Sequence, residues 1–159
     1  DTYGENVEWF KEAGVDVVLF ETMGHLDEID VALKSVNENK IWLSLIVNDV
    51  DHLLSGHPIE SVYELAKYKV DVLMLNCNTI DKTDQTLEKI INNWGRDWGV
   101  YPNLGLTEPE PDGEMKEKVD DRSFCKIISK YLGMNPMVIG SCCGSTPKHT
   151  EMIYKLVNL

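Results

Sequence analysis

The strongest constraint on the fold is the alternation of short apolar runs with amphipathic stretches along all 159 residues. Val15–Phe20, Ile41–Val47, Val70–Leu75, Val100–Asn103 and Met137–Ile139 read as strands. The near-continuous apolar character of the first suits a strand buried on both faces of a parallel sheet. Helical periods separate them. Val7, Phe10 and Lys11 belong to a first helix that Gly14 ends. Leu26–Asn37 carries Ile29, Leu33 and Val36 on one face, and Ile59–Lys69 carries Val62, Leu65 and Ala66 behind the entry residue Pro58, with Glu60 near its start. Thr83–Trp94 carries Leu87, Ile90 and Ile91; Arg122–Leu132 carries Phe124, Ile127, Ile128 and Tyr131; Pro147–Val157 carries Met152, Ile153 and Leu156. Five strands, each preceded by a helix, predict parallel α/β architecture. Two closures fit: an open doubly wound sheet, or the later part of a TIM-type (β/α)8 barrel.

The polar residues choose between them. Glu21 follows the first predicted strand, Cys77 the third, Asn103 the fourth, and Cys142 with Cys143 the fifth, so each candidate stands at a carboxyl end. In an open sheet the first and last of these strands can lie far apart, whereas a barrel wall curves them around one mouth. The barrel is therefore expected. A complete barrel takes about 250 residues and eight strands, so residues 1–159 read as the carboxyl-terminal part of one, about its last five strands, with no second domain and no initiator methionine.

The cysteines carry the chemistry. Cys142 and Cys143 sit together in Gly140-Ser141-Cys142-Cys143-Gly144-Ser145-Thr146-Pro147, and Cys77 follows the apolar run Val70–Leu75. Three thiols from two distant segments can thus meet at one edge of the sheet. Zinc held by three thiolates keeps its fourth tetrahedral position open, as catalytic zinc sites do. The competing reading is packing, since free cysteine is often buried as a small hydrophobe. That reading fits Cys77 alone better than the adjacent pair, which is flanked by glycine on a strand-to-helix turn and joins into a disulfide only with strain. Cys125 lies within a helical apolar stripe and is assigned to packing.

Charge and composition narrow the partners. Twenty-seven acidic against 15 basic residues give a formal charge of -12, which repels phosphate backbones and anionic lipid surfaces. Nucleic acid and membrane are not expected as partners: no run approaches the roughly 18 consecutive apolar residues of a spanning helix, and the start Asp1-Thr2-Tyr3-Gly4-Glu5 has no basic region leading into an apolar one. Four cysteines without a secretory signal favour a reducing, cytoplasmic setting, where thiols bind metal or react more often than they crosslink.

Phe20-Glu21-Thr22, Leu54-Ser55-Gly56-His57-Pro58, Leu75-Asn76-Cys77, Tyr101-Pro102-Asn103-Leu104-Gly105 and Gly140-Ser141-Cys142-Cys143-Gly144-Ser145-Thr146-Pro147-Lys148-His149 occur in this order. Together they resemble the signatures of the homocysteine S-methyltransferase domain, over essentially the whole chain. Ser141 stands where that family usually has glycine, and the family's early strands, with their glycine-rich opening motif, are absent from this sequence. The resemblance implies zinc on Cys77, Cys142 and Cys143, homocysteine or a close thiol or selenol analogue as acceptor, and a small-molecule methyl donor: a sulfonium, quaternary ammonium, methylfolate or methylcobalamin. Only the thiolate of homocysteine is a competent nucleophile, and zinc removes its proton outright. The methyl group then moves onto sulfur and methionine forms.

The resemblance further assigns Glu21 to the amino group of homocysteine, and Asn103 to a position that can occupy the metal's vacancy before substrate arrives. The alternative parts are a solvated acid for Glu21 and a turn residue after Pro102 for Asn103. Asn76, next to Cys77, is positioned to orient that ligand by a hydrogen bond. His149 is assigned to surface packing; His25, His52 and His57 to loop or pocket-rim positions; Trp94 and Trp98 to packing. The acidic loop Gly105–Asp121, with Glu108, Glu110, Asp112 and Glu114, reads as solvated surface. Three missing strands would expose apolar edges and invite self-association or a partner segment. Two rival functions remain: a noncatalytic zinc-binding fragment acting through a partner chain, and a thiol redox protein on Cys142 and Cys143, although the sequence has no Cys-x-x-Cys motif.

Overall fold

Apolar strands alternating with one-faced helices hide both sheet faces only if the strands run parallel and the helices cross over between them. The chain adopts this arrangement in the computed structural model, which describes residues 2–37, 39–106, 110 and 115–158. The order is α1 (Thr2–Glu12), β1 (Val17–Met23), α2 (Leu26–Ser35), β2 (Lys40–Leu45), α3 (Glu60–Ala66), β3 (Val72–Asn76), α4 (Ile80–Trp94), β4 (Trp98–Tyr101), α5 (Asp121–Leu132), β5 (Val138–Ile139) and α6 (Pro147–Val157). The sheet runs β1-β2-β3-β4-β5, and each neighbouring pair is parallel. A doubly wound sheet reverses its strand order at a switch point. Here the order is sequential throughout, as in a barrel wall.

The central strand explains the core. All five residues of β3 are buried; the strand lies between β2 and β4, with α4 packed against it. On β1, Val18, Phe20 and Met23 are buried while Leu19, Glu21 and Thr22 are exposed, so the second face of this edge strand is open. Thr83, Leu87, Ile90 and Trp94 form the buried stripe of α4. Asp120 starts α5 by accepting the Ser123 N–H at 2.8 Å. At the start of α6, the Thr146 N–H donates to His149 Nδ1 at 3.0 Å, and the His149 ring meets Phe124 edge-on at 4.9 Å. His149 therefore caps and packs its own helix.

Element boundaries differ from the sequence expectation in three informative places. β1 continues to Met23, so Glu21 lies within the strand rather than after it; the ladder is irregular between Phe20 and Met23, where Thr22 adopts φ 60. β3 ends at Asn76, directly before Cys77. β4 occupies Trp98–Tyr101 instead of Val100–Asn103. Pro102 has no N–H for the ladder, and the Asn103 N–H leaves the sheet for the Asn78 carbonyl at 3.1 Å. Gly99 belongs in the strand because its neighbours crowd it: a Cβ there would stand 2.8 Å from Val138 Cβ and 2.9 Å from Met74 Cγ.

Leu73 is fully buried at the centre of β3, whereas Val31 on α2 is 45% exposed. Leu73→Ala is expected to cost about 2–5 kcal/mol of unfolding free energy, and Val31→Ala less than about 0.5 kcal/mol. Urea denaturation followed by circular dichroism measures both.

Candidate metal centre

Parallel strands deliver their carboxyl ends to one rim, and the segment 101–104 ties the two cysteine-bearing turns together there. The Cys77 N–H donates to the Tyr101 carbonyl at 3.3 Å, the Cys142 N–H to the Pro102 carbonyl at 2.9 Å, and the Leu104 N–H to the Cys143 carbonyl at 2.9 Å. Cys77 adopts φ 57, a left-handed conformation that turns the chain sharply at the end of β3. The three Sγ atoms converge within 4.8 Å of one another. Cys142 lies 3.0 Å from Cys77, Cys77 3.2 Å from Cys143, and Cys142 4.0 Å from Cys143. Cys77 and Cys142 are half-buried and Cys143 is exposed; Cys125, on α5, stands outside the group.

Thiols this close share protons. The Cys142 thiol is lowered to about 6, chiefly by its hydrogen bond with Cys77 and also by the Cys143 backbone N–H. The Cys77 thiol moves the other way, well above the ordinary thiol range, because it is bonded to Cys142 and partly buried. The cluster therefore presents a thiolate at neutral pH beside thiols that a bound cation would deprotonate.

Glu21 lies exposed on the open face of β1. Its neighbour Thr22 is clamped by Asn76: the Thr22 N–H donates to Asn76 Oδ1 at 3.2 Å and Asn76 Nδ2 donates to Thr22 Oγ1 at 2.7 Å. Ser44 Oγ donates to the same Asn76 Oδ1 at 2.7 Å. Asn76 is 1% exposed, and its side chain also faces Cys142, where it helps hold that thiol down. Asn103 is equally buried; its Nδ2 donates to the Cys77 carbonyl at 3.3 Å and its Oδ1 accepts the Gly105 N–H at 3.0 Å. In this state Asn103 braces the Cys77 turn from behind.

Nothing in the sequence signals Ser44 or Asn78, and Thr22 and Tyr101 stand there only as members of the family-like motifs with no role of their own, because their contacts join residues up to 54 positions apart. Asn78 is 2% exposed and bonds the Val47 N–H at 2.9 Å and the Leu45 carbonyl at 3.2 Å, which stitches β2 to the turn after β3. The histidines stay local: His52 Nδ1 meets Asp49 at 2.9 Å, and His57 Nδ1 meets Ser55 at 3.0 Å. His25 precedes α2. Of the acidic loop, Glu110 pairs with Lys116 at 2.8 Å, while Glu108, Asp112 and Glu114 lie outside the described residues.

The family profile described as homocysteine S-methyltransferase matches residues 1–157. Homocysteine S-methyltransferase 2 of Zea mays is 25% identical over 169 residues, covering 99% of this chain and 49% of the relative. Selenocysteine methyltransferase of Astragalus bisulcatus is 24% identical, with 99% and 49% covered. The chain spans about half the length of the curated relatives it matches. Among solved structures, the homocysteine methyltransferase MmuM from Escherichia coli in its apo form superposes with a TM-score of 0.76 at 22% identity, covering 98% of this chain and 56% of that one. Its metallated form gives 0.76 at 22% identity, covering 97% and 51%. The likeness establishes the fold, with the five-stranded sheet as part of the wall of a (β/α)8 barrel. No helix of the described residues is long and apolar enough to cross a membrane.

In the reduced, metal-free protein at pH 7, iodoacetamide is expected to alkylate Cys142 ahead of Cys77. The Cys142 rate should fall as pH drops through about 6, because its lowered value keeps it ionised above that point and protonates it below. Peptide mass mapping of time points reads both rates.

Proposed function

The chain belongs to the homocysteine S-methyltransferase family. From that premise and the three converging thiols, we propose that it forms the zinc-holding and substrate-binding part of an enzyme that methylates the thiol of homocysteine, or of a close thiol or selenol analogue. Methionine is the product from homocysteine. The observation that carries this reading is the meeting of Cys77, Cys142 and Cys143 Sγ atoms within 4.8 Å at the carboxyl-end rim.

The donor set fits zinc. Ligands about 2.3 Å from a tetrahedral zinc stand about 3.8 Å apart, and the sulfur pairs at 3.0, 3.2 and 4.0 Å bracket that spacing. Thiolates are soft donors of the kind zinc accepts. Zinc bound there would supply a Lewis acid with one open position, where a substrate thiol loses its proton and is kept as the nucleophile. The protein's residues do the rest. Cys77, Cys142 and Cys143 contribute three negative charges, so that sulfur beside them retains electron density. Glu21 pairs with the substrate ammonium and aims the thiol at the centre. Asn76 holds Thr22, the residue next to Glu21 on β1. Asn103, which the resemblance assigns to the vacancy, uses its Oδ1 here to accept the Gly105 N–H.

Enclosure of the site needs more chain. β1 and β5 are the sheet edges, and Trp9, Phe10 and Leu19 on one flank and Met137, Tyr154 and Val157 on the other are exposed. An open depression of about 680 Å³ lined by Pro147, Thr150 and Tyr154 runs along α6. These flanks suit the remaining strands and helices of the barrel, from the same polypeptide or from a partner chain. They favour a half-barrel that works only when completed. A reducing compartment such as the cytoplasm keeps the three thiols available for metal.

Elemental mass spectrometry of the reduced protein is expected to find about one zinc per chain, lost in Cys77→Ser and Cys142→Ser and retained in Cys125→Ser. Equal retention in the three variants refutes the ligand set. In the complete enzyme, assayed with a panel of methyl donors, Glu21→Gln should raise the homocysteine KM about ten- to a hundredfold with zinc content unchanged.

A further inference from the structure

Tyr101 ends β4 between the two cysteine-bearing segments. It pairs in register with Asn76 on β3, and its ring lies against Gly140, where a Cβ would come 3.1 Å from Tyr101 Cβ. The absent side chain at Gly140 leaves room for the phenol beside the thiols. The Tyr101 hydroxyl is buried and has no hydrogen-bond partner among the described residues. Around it stand the Ser44 hydroxyl, the Glu21 carboxylate and the Cys142 thiol; Ser44 and Glu21 are near enough to act on the phenol as polar neighbours, but neither completes a hydrogen bond with full distance and angle. The Ser44 proton is already donated to Asn76 at 2.7 Å.

A buried donor without a partner is destabilising. One such group on the rim, beside the carboxylate assigned to the substrate ammonium, has a use when ligand is bound. Burial first, then the Glu21 charge, raise the phenol well above its ordinary value, so it keeps its proton and acts as a neutral donor.

We propose that the Tyr101 hydroxyl donates a hydrogen bond to the α-carboxylate of the amino-acid substrate. This rests on the reading of Glu21 and the thiol centre given above. The ammonium and the carboxylate of an α-amino acid hang on one carbon, so a group that pairs the first with Glu21 brings the second to a donor next to Glu21. Glu21 and Tyr101 then grip both ends of the zwitterion. A thiol without a carboxylate gains nothing from Tyr101, and the pair selects amino-acid thiols and selenols over simple ones.

The test compares zinc-loaded, full-length protein and its Tyr101→Phe variant by calorimetric titration with L-homocysteine and with 3-aminopropane-1-thiol, which is homocysteine without its carboxylate. The variant is expected to bind homocysteine about tenfold more weakly. It should bind the decarboxylated thiol within about twofold of the unaltered protein, the scatter of a change that removes no contact, and hold the same zinc. Unchanged homocysteine affinity, or equal weakening of both thiols, overturns the proposal. If the unaltered protein holds zinc but binds neither thiol, the substrate assignment itself fails and this inference falls with it, a result visible without the variant.

Discussion

Everything at the rim depends on the parallel pairing of β3, β4 and β5 and on how the chain leaves those strands. Cys77 and the Cys142–Cys143 pair are 65 and 66 residues apart in sequence. They meet because both turns bond to the same short segment, Tyr101 to Leu104, through main-chain groups. Pro102 suits this place: it has no N–H to satisfy, and its carbonyl takes the Cys142 N–H. A one-residue slip in either pairing would send alternate side chains to the opposite face and separate the thiols. Gly99, which admits Val138 and Met74 at close range, protects the register at this point.

The rim carries strain, and buried amides hold it. Thr22 and Cys77 are both non-glycine residues with positive φ, a conformation that costs on the order of 1 kcal/mol or more each. Asn76 bonds Thr22 twice and accepts from Ser44; Asn78 and Asn103 bond the backbone on either side of Cys77. An amide side chain is both donor and acceptor, so each of these residues supplies the partners that a turning backbone lacks. Because all three are almost wholly buried, their bonds are shielded from water, and the thiols and Glu21 are held on a stiff frame. Preorganisation of this kind lets a site bind without first ordering itself.

Much of this was legible in the chain itself, because helix and strand periodicity is local. The five strands and six helices follow from apolar spacing, α6 matches its expected bounds of Pro147–Val157, and the three cysteines stand out by their position at strand ends. The placement of strand ends was less legible: that Glu21 lies inside β1, or that β4 begins at Trp98, depends on neighbours such as Val138 that are remote in sequence. Alternation alone serves a doubly wound sheet or a barrel wall; the placement of the polar residues at strand ends chose the barrel, and the sequential strand order agrees with that choice. Only the tertiary structure decided how closely the three sulfurs approach, that Asn76 clamps Thr22 and that the Tyr101 hydroxyl has no hydrogen-bond partner among the described residues. Apolar periodicity is set within a few residues, whereas these contacts are set by which strand lies beside which, and a single sequence carries no direct record of that.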